Sequence, residues 1–412
     1  MSKVVITSLP KLKDYIVTAQ YEEEKLMLLD CDNRRERSIL NNIYIGKVKN
    51  LVPNIQAAFI EIEKGFECYY SLEDNRNPFF VNAKKNNKLN IGDELVVQVS
   101  KENIKTKQPV LTSNIALTGK YVVVSAGDKK LGISNKLKVK EKLRIKELFD
   151  GHLDGKFGII VRTNAKNATD EQILEEADKL KDKLKTLMEN AVHRTCYSVL
   201  YEAEDNYLSI LKGINEAGME QIITDDRDIY DRIKDYLADN NMEPEKYLSF
   251  YEDALLPLYK LKSLETELKH ALQERVWLKS GAYLVIQPTE AFTVIDINTG
   301  KFTGKKNLQE TFLKINVEAA REIGRQLRLR NISGIVVIDF IDMEQPEAKK
   351  TLMEEFDKVL KKDPVTANLV GMSRLNLVEL TRKKVRRSLR EQVTKPCKVC
   401  GGSGVCFGGM AE

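Results

Sequence analysis

Three polar residues interrupt two apolar runs, and their types suit phosphate chemistry. In FTVIDIN, residues 292–298, period-two alternation puts Asp296 and Asn298 on one face of a strand whose neighbours Val294, Ile295 and Ile297 are apolar. In GIVVIDFIDM, Asp339 interrupts a nearly continuous apolar run of the kind expected for a buried strand. An acid at either place is costly unless it is used or paired. An amphipathic pattern near residues 308–329 lies between them, giving the order β-α-β. A right-handed crossover makes the two strands parallel, so both aspartates can converge at their C-terminal ends.

Two converging carboxylates beside a neutral amide suit a hard cation such as Mg²⁺, which takes one or two protein carboxylates and keeps water and substrate phosphate as its other ligands. The reaction such a site implies is phosphodiester hydrolysis. Asp342, three residues on, either supports that site from outside or merely ends the strand. The plain structural reading is that Asp296 and Asp339 cap neighbouring elements or pair with arginines. Only His152, His193 and His270 are present, none of them clustered, which argues against an imidazole acid/base pair.

The elements that must position these residues belong to a chain too long for one core: 412 residues predict two to four compact units. A hydrophobic content of 42% with 31% charged residues is that of a globular protein and excludes a largely disordered one. Residues 3–9 and 15–29 read as the start of a sheet. Between Asn42 and Leu117, five short β-type runs separated by Gly, Asn and Lys-rich turns predict a small barrel of the OB type. Residues 119–200 mix strands with a helix that starts after Thr169-Asp170, and 205–275 alternate strands and helices. YLVIQ and FTVIDIN form a hairpin-like pair around Pro288-Thr289-Glu290.

The net charge of +5 is unevenly spread: Thr381 to Arg390 (TRKKVRRSLR) holds six basic residues and no acid, suited to a polyanion or else a solvated basic helix face. The N-terminus offers only short apolar stretches, neither a signal region nor a membrane span, so a cytoplasmic protein is expected. Cys31, Cys68 and Cys196 are scattered, whereas Cys397, Cys400 and Cys406 crowd the C-terminus, which fits a terminal metal site better than a disulfide framework.

Three longer stretches carry a family resemblance: LKSGAYLVIQPTEAFTVIDINTGKFTGKKNL, NVEAAREIGRQLRLRNISGIVVIDFIDM, and LVELTRKKVRRSL before a CxxC. Together they resemble the catalytic region of the ribonuclease E/G family, and its shorter, ribonuclease G-like members in particular. The resemblance implies a DNase I-like subdomain in which Asp296 and Asp339 hold a catalytic Mg²⁺, with Asn298 as the supporting amide. It also implies metal-promoted attack of water on RNA, leaving a 5′-phosphate on the downstream product.

NIYIGKVKNLVPNIQAAFIEI is similar to the family's S1 domain, which clamps single-stranded RNA. Phe59 and Phe66 match its base-contacting aromatics and Lys107 a basic RNA contact, as single strands require; read without the family, Phe59 suits a barrel core equally well. GIIVRTNA resembles the 5′-sensor, in which Arg162 and Thr163 match the pair that reads a 5′-monophosphate and Gly119 and Val123 match the pocket wall. Asn135 stands where the family commonly has an arginine, and Lys314-Ile315 where relatives carry Asn-Thr before Asn316.

PCKVCGG supplies Cys397 and Cys400, half of a tetrahedral Zn²⁺ site. In the family two subunits each lend one such pair to a shared zinc, implying a homodimer; the rival is Cys406 as a third ligand within one chain. The expected assembly is that homodimer or a higher oligomer such as a dimer of dimers; the sequence runs only a few residues past this knuckle, which leaves tetramer formation and degradosome-like partners unsupported.

The expected architecture is α/β and multidomain: an RNase H-like subdomain in two segments, 1–37 and 206–272, interrupted by an S1 OB-fold at 38–118 and a 5′-sensor at 119–205. A DNase I-like catalytic subdomain at 273–393, a zinc-link at 394–406 and a tail at 407–412 follow. The expected function is a single-strand-specific endoribonuclease acting on rRNA and tRNA precursors and mRNA and stimulated by 5′-monophosphate ends. The alternatives are a non-catalytic RNA-binding protein of the same fold, and a metal-dependent DNA nuclease or phosphatase using the same carboxylates.

Overall fold

A computed structural model describes the chain except residues 83, 85, 103–107, 128, 153–154, 215–217, 241, 301–307, 401–403 and 405–412. The chain divides into two compact units, residues 37–219 and residues 1–36 with 220–412. It is a mixed α/β protein with several sheets, and among the described residues no helix is long and apolar enough to cross a membrane.

In the unit of residues 37–219, Ile43–Val52, Ala57–Glu63 and Phe66–Ser71 pair antiparallel in sequence. Val110–Thr112 joins Phe66–Ser71 in parallel and Glu94–Lys101 antiparallel, and Glu94–Lys101 returns to Ile43–Val52. The result is a closed five-stranded barrel, consistent with an OB fold. Alternate residues such as Val48, Ile60, Tyr70 and Val97 fill its interior. Gly46 is required there, because a Cβ would stand 2.6 Å from the Ile60 side chain. A second sheet in the order Ala116–Thr118, Val122–Ser125, Gly158–Val161, Leu131–Ile133 packs against the helix Asp170–Ala191. That helix starts where a capping box of Thr169 and Gln172 satisfies its first donors.

In the other unit, one sheet has the order Leu248–Phe250, Met219–Thr224, Ser2–Leu9, Leu12–Glu22, Lys25–Asn33, so the first strands of the chain lie beside strands met two hundred residues later. A six-stranded sheet has the order Arg275–Trp277, Tyr283–Pro288, Phe292–Asn298, Gly334–Asp339, Leu377–Arg382, Ala367–Met372. Phe292–Asn298 and Gly334–Asp339 are parallel, joined through the helix Leu308–Leu329. One face of this sheet (Leu284, Ile286, Ile295, Ile297, Val336, Ile338, Val378, Leu380) packs on that helix and on Pro346–Lys361.

The opposite face is not covered in the same way. In Gly334–Asp339 burial alternates, with Val336 and Ile338 buried and Ile335 and Asp339 exposed, so the strand is not buried on both faces as its apolar run predicts. The β-branched residues on the outward face explain the run without a second core. The basic run 381–390 is likewise not a helix face. It comprises the end of a strand, a connection, and the first turn of a short helix, Leu389–Val393, capped by Ser388. Two of its cations are bound internally: Arg382 by Asp363 at 2.7 Å and Arg386 by Asp30 at 3.1 Å.

Candidate active site

The outward face of the six-stranded sheet brings Asp296, Asn298 and Asp339 together. Asp296 and Asp339 are directly opposed partners in the parallel register, each at or near the C-terminal end of its strand. Asn298, two residues beyond Asp296, donates its Nδ2 to Asp296 Oδ2 at 2.6 Å, which fixes one carboxylate oxygen. Asp296 is half-buried and Asp339 exposed. The Asp339 carboxyl is held above the usual carboxylate range, first by desolvation, then by the charge of Asp296 and then by that of Asp342. Two acids set side by side are a strained arrangement without a cation between them.

The structure also weighs on the competing readings. Arg382 and Arg386 are engaged with Asp363 and Asp30, and among the described residues no lysine or arginine forms an ion pair with Asp296 or Asp339. Neither aspartate caps a described helix. Asp342 is tied elsewhere, its Oδ1 accepting from Asn376 at 3.4 Å while Lys349 donates to Asn376 at 2.8 Å. Among the described residues no group of three or more His, Cys, Asp or Glu side chains is arranged to hold a metal. The pair therefore fits an ion that accepts two protein carboxylates and fills its remaining positions with water and phosphate oxygens, which is the coordination habit of Mg²⁺.

Two supporting residues escaped the sequence reading. Asn316, fully buried in Leu308–Leu329, donates to Ile341 O at 2.8 Å and accepts from Ile341 N at 3.0 Å, clamping the backbone between Asp339 and Asp342. Its signal was an amide on the apolar face of an amphipathic helix, beside Ile315 and Ala319. Gly300 has a positive φ of 62°, and a Cβ there would stand 2.3 Å from Gly281 O, so only glycine lets the chain leave the Asp296 strand along this path.

In the unit of residues 37–219, Arg162, Gly119, Thr163 and Val123 gather at one end of the four-stranded sheet. The Arg162 guanidinium donates to Gly119 O, its backbone N–H donates to Tyr121 O at 2.7 Å, and Thr163 shares a 2.9 Å hydroxyl contact with Ser134. Val123 lies opposite Ile160 in the neighbouring strand. Sequence reading also missed Glu176, whose carboxylate accepts from the backbone N–H groups of Lys120, Tyr121 and Val122 at 2.7, 2.7 and 2.9 Å and so holds the turn after Gly119. Asn135 is exposed.

On the barrel, Phe59 is only partly buried and faces away from the core, edge-on to Tyr69 with ring centroids 6.3 Å apart. A register shift between Glu61 and Glu63 sets Phe66, 37% exposed, opposite Glu63. Lys107 lies outside the described residues, as does Cys406. Cys397 is exposed and Cys400 partly so, supplying two thiols where a zinc site needs four ligands.

The profile of the ribonuclease E/G family matches residues 116–385. Ribonuclease G of Salmonella typhimurium (strain SL1344) is 32% identical over 405 residues, covering 94% of this chain and 83% of the relative. Ribonuclease G of Haemophilus influenzae is 32% identical over 96% of this chain and 84% of the relative. Ribonuclease E of Nostoc sp. (strain PCC 7120) is 34% identical over 89% of this chain and 54% of the relative. The match runs through the strands that carry Asp296 and Asp339 and through the residues gathered around Arg162, and the chain belongs to the ribonuclease E/G family.

Proposed function

We propose that this chain is a Mg²⁺-dependent endoribonuclease that hydrolyses internal phosphodiester bonds of single-stranded RNA, leaving a 5′-phosphate on the downstream product. The observation that carries the proposal is the register pairing of Asp296 with Asp339 on an open sheet face, with the Asn298 amide fixed to one of them. Asp296 and Asp339 would hold the ion. Bound there, Mg²⁺ supplies Lewis-acid polarisation of the phosphate and a more acidic water.

The chain's own residues do the rest. Asn298 presents Asp296 in one rotamer, Asn316 fixes the backbone that follows Asp339, and the exposed sheet face admits an extended strand to the carboxylates. Phe59 and Phe66 on the S1-like barrel would grip bases of the RNA, and Lys107, which lies outside the described residues, would supply a phosphate contact. Arg162 and Thr163, with Gly119 and Val123 as the wall, would read a 5′-monophosphate. Cys397 and Cys400 would share a structural Zn²⁺ with a second copy, forming a homodimer. On this reading the chain would comprise RNase H-like, S1, sensor, DNase I-like and zinc-link parts, and its substrates would be rRNA and tRNA precursors and mRNA in the cytoplasm.

The test is cleavage of a short A/U-rich, 5′-monophosphorylated single-stranded RNA in Mg²⁺ by the wild type and by folded Asp296→Asn and Asp339→Asn variants. Internal cuts by the wild type alone support the assignment. Equal cutting by all three removes these residues from the mechanism, and RNA that is bound but cut by none makes the chain an RNA-binding protein.

A further inference from the structure

The face that carries Asp296 and Asp339 continues into an aromatic edge that the cleavage chemistry does not use. Cross-strand partners share a face, so the register places side chains in two rows. One row runs Arg275, Val285, Asp296, Asp339, and the next runs Trp277, Tyr283, Asn298. Trp277 and Tyr283 therefore stand on the same face as the acidic pair, two strands and one strand from Asn298. At about 4.8 Å per strand, Trp277 lies roughly 10 Å from that amide.

The local packing is that of a platform rather than a core. Trp277 is 62% exposed, although it is the only tryptophan of the chain. Its ring centroid lies 5.1 Å from that of Tyr283 at an interplanar angle of 57°. The Arg275 guanidinium carbon stands 4.5 Å from the Tyr283 ring centroid and 5.9 Å from that of Trp277, holding both rings from one side by cation–π attraction. An exposed indole braced by a tyrosine and an arginine offers one large π-face and one cation, and a large exposed aromatic is an informative departure from ordinary surfaces. Val285 fills the row between Arg275 and Asp296 with apolar surface.

We propose that Arg275, Trp277 and Tyr283 form a nucleobase subsite: an unstacked base of the single-stranded RNA lies on Trp277, and Arg275 meets a neighbouring phosphate, setting the register of the strand across Asp296 and Asp339. The inference rests on the nuclease reading and adds to it a binding residue at a fixed strand spacing from the reacting bond. Base stacking on an aromatic tolerates any sequence, so the subsite positions the strand without choosing its bases.

Because Trp277 is the only tryptophan, its emission reports on this subsite alone. In EDTA, an unlabelled single-stranded oligoadenylate of about ten nucleotides should quench Trp277 emission over the same concentrations at which a labelled copy gains anisotropy. In Mg²⁺, Trp277→Ala should raise KM about ten-fold with kcat within about two-fold, as loss of one stacked base implies. Trp277→Phe should restore most of it, and Tyr283→Ala should weaken binding in the same direction. Rising anisotropy with unchanged emission, or Trp277→Ala cleaving with the wild-type KM, would overturn the subsite and leave the nuclease standing. An oligonucleotide neither bound nor cut would overturn both.

Discussion

Asn316 grips the backbone of Ile341 with both ends of its amide, at 2.8 and 3.0 Å, from inside a helix where it has no exposure to solvent. Ile341 stands between Asp339 and Asp342, so this clamp sets how the chain leaves the strand that carries the acidic pair. Asn316→Ala leaves a backbone donor and acceptor of Ile341 without these partners, at a cost of about 1–3 kcal/mol. Small displacements of reacting groups are amplified in rate, so cleavage should fall by about ten- to a hundred-fold. Chemical denaturation and single-turnover cleavage of the variant measure the two losses. A variant as active as the wild type would separate the clamp from the site.

The acidic pair predicts a pH-dependent cost in the metal-free protein. Folding raises the Asp339 pKa, through desolvation and then Asp296 and Asp342, so ionisation of this group opposes folding. The penalty is absent at pH values below the ordinary carboxylate pKa and is fully present above the raised folded pKa. In EDTA, Asp339→Asn should therefore melt above the wild type near neutral pH, with the gap closing as the pH falls through the carboxylate range. Adding Mg²⁺ should stabilise the wild type more than the variant, since ligand binding to the native state adds stability. Melting curves across pH, with and without Mg²⁺, check both signs; a variant less stable than the wild type in EDTA near neutrality would contradict them.

What could be read in the sequence was set by periodicity. The β-α-β order, the helix near 308–329 and the helix capped at Thr169 follow from local spacing, and the structure has them. The five β-runs between Asn42 and Leu117 likewise close into a barrel, because each apolar run is bounded by turn residues. Sidedness was harder to read. Asp339 looked buried because Ile335 and Val337 are β-branched, yet their face is open, and a strand pattern does not say whether a second layer covers it. The basic run 381–390 misled in the same way, since Arg382 and Arg386 meet Asp363 and Asp30, acids far off in sequence. Glu176 under the Gly119 turn and Asn316 under Ile341 act across 54 and 25 residues, a range at which single-sequence patterns carry no pairing information.

Sensing of the RNA end should reside in Arg162. Its guanidinium is anchored to Gly119 O and its neighbour Thr163 to the Ser134 hydroxyl, so both are held at one end of the four-stranded sheet. Hydrogen bonds to a charged phosphate are each worth about 1.5–3 kcal/mol, and losing one costs about ten-fold or more. Arg162→Ala should lower cleavage of a 5′-monophosphorylated RNA by that factor and leave the 5′-hydroxyl form unchanged. Comparison of kcat/KM for the two substrates reads this directly, and equal losses on both would assign Arg162 to the fold instead.

The strand beside Asp339 ends on a buried ion pair that should be expensive to break on one side only. Arg382 and Asp363 side chains are each 3% exposed and 2.7 Å apart, and Arg382 also donates to Asn331 Oδ1 and Ile332 O at 3.0 Å. Gly334, the first residue of the Asp339 strand, lies opposite Arg382 in the ladder. Asp363→Ala leaves a guanidinium inside the protein without its counterion, a loss of about 3–5 kcal/mol. Arg382→Met with Asp363→Leu removes both charges and should recover part of that loss, because no unpaired ion remains and the volume is nearly conserved. A double-mutant cycle by denaturant unfolding separates the mutual attraction from the desolvation of each partner. If the double variant is as unstable as the sum of the singles, the contacts of Arg382 to Asn331 and Ile332, rather than the ion pair, hold this end of the sheet.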